Sequence, residues 1–252
     1  MAQYKEFETQ QSDSVISFEY ANEGWKLILN VNDNKMYELM SGCNTCEFFF
    51  EHTYGEQGSV VSREIADVLE EGVSTIDDDV INTISKIMPN GKYFVYNSQI
   101  HPKLTVPFSD ADYFSNEQVK VWGKEPFSNL PRFPKTEYYR LSTQNISSMD
   151  TLFEFALPLN PTHWLDEDRV AYYTHLFEIG HQPTALAISV LDVRGPVTSE
   201  NEHHCLAHFL LDGLHKVYAA AQLNKPLRLL SFVSLGCGVS TLEEKKSVIQ
   251  LL

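Results

Sequence analysis

The chain has 252 residues, 43% hydrophobic and 12% aromatic, enough apolar side chain for one large core and too much for a disordered chain. Its formal charge of −15 repels phosphate backbones, which makes nucleic acid an unlikely ligand and leaves solubility or a basic protein partner as what the acidity serves. No run approaches the ~20 apolar residues that a bilayer span needs, so no membrane segment is expected.

The start, MAQYKEFETQQSDS, lacks the basic-then-apolar order of a signal peptide. Four cysteines in this length do not make a disulfide scaffold, so a reducing cytoplasm is the expected compartment. From Val15 to Phe50 the pattern is extended. Val15–Tyr20 partly alternates, Asn22-Glu23-Gly24 turns, Trp25–Val31 returns, and Asn32-Asp33-Asn34 turns again before Met36–Leu39. After a turn at Gly55–Gly58, Ser62 is placed to cap a helix reaching about Glu71 and closed by Gly72. Asp77-Asp78-Asp79 opens a second helix with Val80, Ile81, Ile84 and Ile87 as its stripe.

Lys92–Ser98 reads as a strand and Asn116–Trp122 as a short capped helix. Pro126, Pro131 and Pro134 punctuate FSNLPRFPKTEYYR, which reads as an irregular covering segment within residues 101–160. From Asp166 the signals sharpen. Asp166-Glu167-Asp168 leads a helix with Val170, Tyr173 and Phe177 on one face, ended by Gly180. Ala185–Val193 and Cys205–Leu211 then read as strands, Leu214–Leu223 as a helix, Leu227–Val233 as a third strand and Leu242–Leu252 as a terminal helix. Leu214, Val217, Tyr218 and Ala221 mark the expected packing face of the Leu214–Leu223 helix.

The junction in HFLLDGLHKVYAAAQL carries the main functional signal. His215 and Lys216 occupy the first turn of a helix, where the macrodipole disfavours cations by ~0.3–1 kcal/mol each. Either an anion sits there or the placement is incidental. A strand that ends in Gly213 and runs straight into a helix exposes amides that favour an anion, phosphate being the usual one. Asp212 is placed to cap the helix, to hold His215, or to bind a metal carried by a nucleotide. An ordinary tight turn with two solvated side chains is the plain alternative.

The order of helix, Gly180-His181-Gln182-Pro183, strand, and then HFLLDGLHKVYAAAQLNKPLRLLSFV resembles the ParB/sulfiredoxin-like superfamily over roughly Arg169–Ser234. The resemblance implies a nucleotide- or phosphate-binding turn formed by Asp212, Gly213, His215 and Lys216, with His181 beside it. In that superfamily the turn serves CTP binding in partition proteins, ATP-dependent sulfinic acid reduction, or phosphorylation of free serine. This chain departs from each. Leu214 stands where sulfiredoxin has its cysteine and where the D-G-H-H-R pattern has its first histidine, and Lys216 replaces the arginine. Lysine neutralises a phosphate but cannot grip it with two parallel bonds. No DNA-binding helical domain follows, which opposes a chromosome-partition role.

Cys43-Asn44-Thr45-Cys46 has the spacing of half a zinc site, for which His52 or the pair Cys205 and His208 would supply the rest, although i and i+3 on a strand face opposite sides. A redox pair and two inert thiols are the other readings. His203, His204, His208 and His215 form the densest histidine region, which fits metal binding, pH sensing, or ordinary strand positions. Cys237, between Gly236 and Gly238, shows no base beside it in sequence.

The expectation is therefore an α+β protein with a mixed sheet. A hairpin and helix pair (residues 1–100) and the covering segment (101–160) would pack on a C-terminal α/β module (161–252) in one integrated unit. Its expected role is to bind a nucleotide or another phosphorylated small molecule, possible cofactors being Mg²⁺ with the nucleotide and Zn²⁺ at the cysteines. Phosphoryl transfer would need a base, for which Glu178, Asp192 and Glu202 are the nearby acids. A noncatalytic inhibitor or immunity-like protein that keeps the fold and covers a basic partner is the rival.

Overall fold

The computed structural model describes residues 4–10, 14–53, 58–123, 131–132 and 134–252. Residues 55–57 of the expected turn and Pro126 with residues 127–130 lie outside them. Two sheets and six helices form the described structure, and it is α+β as the sequence implied. The small sheet runs β2 (Ile16–Ala21), β3 (Lys26–Val31), β4 (Asn34–Met40) and β5 (Phe50–His52), all antiparallel. Its β3–β4 turn is carried by Asn32 and Asp33 at φ of 48° and 62°, the left-handed conformation that Asn and Asp tolerate best. The expected hairpin is thus part of a four-stranded sheet.

The large sheet has eight strands. In spatial order they are β1 (Tyr4–Thr9), β6 (Gly91–Ile100), β12 (Leu227–Ser234), β10 (Thr184–Arg194), β11 (His203–Asp212), β9 (Thr151–Pro158), β8 (Tyr138–Asn145) and β7 (Lys103–Thr105). The strands read in the C-terminal module form its centre. The N-terminal part adds β1 and β6 at one edge, and residues 101–160 add β7, β8 and β9 at the other. That corrects the reading of 101–160 as an irregular cover: Tyr138 and Tyr139 begin a strand paired with β9.

Alternation on these strands sorts residues to two faces. Leu186, Ile188 and Val190 of β10, with Cys205, Ala207 and Phe209 of β11, face the small sheet and helices α1 (Arg63–Glu71) and α2 (Asp78–Ser85). Ser62 caps α1 as expected, its Oγ accepting from the Ile65 amide, and of the three acids expected at the start of α2 it is Asp77 that caps, a carboxylate oxygen accepting from the Val80 amide. Gly72 closes α1 at φ +94°, where an added Cβ would stand 2.4 Å from the Gln182 carbonyl oxygen. Neither strain nor space permits a side chain there.

The opposite face is covered in two places. Toward one end lie α4 (Glu167–Glu178) and α5 (Leu214–Leu223), over Ala185, Ala187, Leu210 and Leu229. Toward the other lies α6 (Leu242–Ile249), over Leu191, Val193, Leu206 and Val233. Tyr173 and Phe177 are buried on α4 as expected, whereas α5 buries Lys216, Val217, Ala219 and Ala220 rather than a face centred on Leu214 and Tyr218. A short helix α3 (Glu117–Trp122) flanks the sheet. No helix is long and apolar enough to cross a membrane among the described residues.

Between the two covered patches a polar row crosses the sheet. Ser189 Oγ lies 2.7 Å from His208 Nδ1 and 2.7 Å from Ser231 Oγ, and His208 Nε2 lies 3.3 Å from the Tyr96 hydroxyl and 3.4 Å from a Glu154 carboxylate oxygen. Ser142 donates to the other Glu154 oxygen. The serine, histidine and carboxylate have the residue types of a nucleophilic relay, but all are buried, with His208, Ser189 and Ser231 wholly so. A row satisfied this fully and sealed from solvent fixes strand register.

Candidate functional site

Asp212, Gly213 and His215 border a cleft of about 420 Å³, together with Trp164, Arg169 and the chain around Val60. That volume is within the range that small ligands fill, about 300–1,000 Å³. A cleft of about 510 Å³ on the small sheet, between Trp25, Met40, Phe49 and Arg132, is larger. Its charges are already matched, Lys26 with Glu38 and Arg132 with Glu47, so its size alone does not make it the better candidate.

The β11–α5 turn shows how each expected side chain is used. Gly213 has φ +118°, and an added Cβ would meet the Ala185 Cβ at 2.7 Å. Its missing side chain lets α5 sit on β10. Gly213 offers α5 no side-chain cap, and the first backbone bond closes from the Val217 amide to the Gly213 carbonyl at 2.8 Å. Lys216 bends back under the turn. Its ammonium donates to the Thr184 carbonyl at 3.0 Å, pairs with the Asp212 carboxylate and lies 5.7 Å from the centroid of the Tyr173 ring. Only 2% of Lys216 is exposed, so the anion that answers its place in the first turn is Asp212, one turn back in the chain.

His215 turns the other way, and its Nε2 accepts from the Asp166 amide at 3.1 Å. Burial, with the Arg169 guanidinium nearby, holds its pKa below the ordinary value, so the ring is neutral near pH 7 and Nδ1 carries the proton. His215 thereby joins α5 to the start of α4, where Asp166 itself accepts from the Asp168 and Arg169 amides. Arg169 donates through one nitrogen to the Tyr173 hydroxyl at 3.0 Å and remains exposed at the cleft. Sequence reading did not single out Arg169. Its signal was position, in the first turn of the helix that precedes Gly180-His181-Gln182-Pro183.

His181 does not line this cleft; its Nε2 donates to the Glu70 carbonyl at 2.7 Å, at the end of α1. None of the expected bases reaches it either. Glu178 is exposed near the end of α4, Asp192 is buried against Arg194 at 2.7 Å, and Glu202 precedes β11 at its opposite end.

Cys43 and Cys46 lie in the loop between β4 and β5 with free thiols. Burial raises the Cys43 thiol, but hydrogen bonds from Cys46 and Thr45 outweigh it and bring the pKa down, while burial and the neighbouring Cys43 push Cys46 up to about 12. The residues expected to complete a zinc site are not brought to them. Cys205 is buried against the Tyr113 hydroxyl, His208 is on the opposite face in the polar row, and His52 Nε2 donates to the Leu159 carbonyl at 2.8 Å. What organises the loop is Arg194, wholly buried, which donates to the carbonyls of Met40, Cys43 and Glu47. Cys237 is half-buried, and burial raises its thiol pKa.

The remaining histidines divide by face. His203 Nδ1 lies 2.9 Å from the Tyr113 hydroxyl, and burial with the neighbouring His204 brings its pKa down to about 4. His204 points to the α6 side. Protein-family models, curated proteins and solved structures yield no match to this chain.

Proposed function

We propose that the protein binds a small phosphate-bearing ligand, a nucleotide foremost, in the cleft at the β11–α5 turn. One observation carries the reading: the cleft opens where α5 begins without a side-chain cap, and Arg169 stands exposed at the same place. The first amides of α5 favour an anion and Arg169 offers the two-pronged grip that Lys216 lacks. Trp164 borders the same cleft, and its ring is the kind of side chain on which a base stacks. Asp212 and Lys216 serve as the pair that holds the turn rigid. Mg²⁺ would arrive with the nucleotide phosphates. The resemblance to the ParB/sulfiredoxin-like superfamily supports the same turn, and a reducing cytoplasm suits the four free thiols.

Binding is better supported than phosphoryl transfer. Asp212 is the one carboxylate lining the cleft among the described residues, and its charge is already met by Lys216. Thermal-shift measurements with ATP, ADP, CTP and pyrophosphate, each with and without Mg²⁺, test the reading. A ligand at about 100 times its Kd adds about 2.7 kcal/mol of stability. The expected result is a rise in Tm with at least one nucleotide that disappears in Arg169→Ala. No shift with any of them favours the rival, a noncatalytic interaction protein whose acidic surface covers a basic partner. The observation on that side is Lys216, whose charge is spent within the fold.

A further inference from the structure

We infer that the start of β11 holds a second site, for a divalent metal ion of the Zn²⁺ or Mn²⁺ type, ligated by Asp150, Glu202 and His204. The ligand atoms of these three residues lie within 4.8 Å of one another. The strands bring them together: β9 and β11 run parallel, and the amide of Thr151 donates to the Glu202 carbonyl at 3.0 Å just before the two strands begin. Asp150 is set in place from both sides, one oxygen accepting from the Glu202 amide at 3.3 Å and the other from Ser147 Oγ at 2.8 Å. Each oxygen retains a lone pair for a cation.

The imidazole is the independent sign. His204 is 6% exposed, its Nδ1 is buried with no hydrogen-bond partner, and its Nε2 faces the nearest Glu202 oxygen at 3.9 Å, beyond hydrogen-bond reach. A buried ring left unpaired has lost its water without a replacement partner. An ion placed between His204 Nε2 and the carboxylates supplies that nitrogen with the partner the protein does not, and the ring's proton then stays on Nδ1. Two ligands on one ion at about 2.1 Å each stand no more than about 4.2 Å apart. The His204–Glu202 spacing already meets that limit, and Glu202, whose side chain is half exposed, can close the rest by rotation.

The charge around the site points the same way. Among the described residues no lysine or arginine pairs with Asp150, Glu202 or Glu244, the last being in the first turn of α6 with one oxygen engaged by the Thr241 amide. One neutral imidazole with carboxylate oxygens suits Zn²⁺ and Mn²⁺ better than Mg²⁺ or Ca²⁺, and the usual affinity order places Zn²⁺ above Mn²⁺.

Titration calorimetry of the full chain with ZnCl₂, MnCl₂, MgCl₂ and CaCl₂ tests the site. One equivalent of Zn²⁺ is expected to bind, and Mn²⁺ more weakly. Glu202→Gln and Asp150→Asn should each weaken Zn²⁺ by about 10-fold or more. Glu202 is exposed enough that its variant folds, which circular dichroism checks. Cys43→Ser with Cys46→Ser should leave the affinity unchanged, and Co²⁺ should bind without a thiolate charge-transfer band. Absence of saturable binding, binding that survives both carboxylate variants, or binding lost with the two cysteines would each overturn the assignment.

Discussion

The two ends of β11 handle charge in opposite ways. At its far end, Asp212 closes the strand and Lys216 reaches back to it from the first turn of α5, so that the ammonium finds a carboxylate, a carbonyl and an aromatic face. At its start, Asp150 and Glu202 crowd together, with Glu244 nearby and one imidazole whose Nδ1 is unpaired, and among the described residues no basic side chain pairs with these acids. The Asp212–Lys216 pair is satisfied within the fold, whereas the acids at the start of β11 have no such counter-charge among the described residues. A charged residue in a helix's first turn is therefore poor evidence of a bound anion until its neighbour four residues back has been considered. A group of acids that share a buried histidine carries more information, because nothing in the fold repays its repulsion.

Breaking the satisfied end has the largest expected effect. Lys216→Met keeps the volume of the side chain and strands Asp212 beside the Thr184 carbonyl. Losing one partner of a buried pair costs about 3–5 kcal/mol, and the lower part of that range applies because Asp212 keeps some water. Urea denaturation should show that loss, and adding Asp212→Asn should return much of it. If the single variant is as stable as the parent, the pair does not hold the turn.

The same contrast explains what the sequence could disclose. Ser62 caps the helix it was expected to cap, and Asp77 and Asp166 cap helices whose starts the sequence placed at their acidic runs, because these signals lie within one turn of the chain. The Asp212–Lys216 pair was less legible, since Asp212 ends β11 and only Lys216 is on α5, so the helical spacing rule does not join them, and the strand-to-helix junction drew the reading toward an outside anion. The contact between His215 and the Asp166 amide spans 49 residues, and no local rule reaches it. The polar row was hidden for a related reason. Ser189, His208 and Glu154 are on different strands, each inside an apolar run that reads as buried on both faces. β8 was obscured by the prolines ahead of it, and β1 by its acidic, alternating sequence YKEFET at a sheet edge.

Acid sharpens the comparison at the start of β11. His203 titrates near 6.5 in the unfolded chain and only at about 4 in the fold, so the unfolded state binds more protons between those values. Stability is complete above the unfolded pKa and falls as pH drops through this window, by about 3 kcal/mol from His203 alone. Urea midpoints measured from pH 7.5 to 4.5 should fall more steeply for the parent than for His203→Gln. Parallel curves would show that burial does not hold this ring neutral.

The smallest effect distinguishes repulsion from mere proximity among the acids. Glu202→Gln removes one carboxylate while keeping the shape of the side chain. Because Glu202 is half exposed, the change should stay within about 0.5 kcal/mol, and its sign should be stabilising when no divalent metal is present. Salt screens exposed charges beyond about 10 Å at 0.1 M and far sooner at 1 M, so the gain in Tm should shrink as salt is raised. With Zn²⁺ added the sign should reverse, since the parent then gains a ligand that the variant holds weakly. A variant that is less stable than the parent without metal, at low and high salt alike, would mean that Glu202 serves the fold rather than an ion.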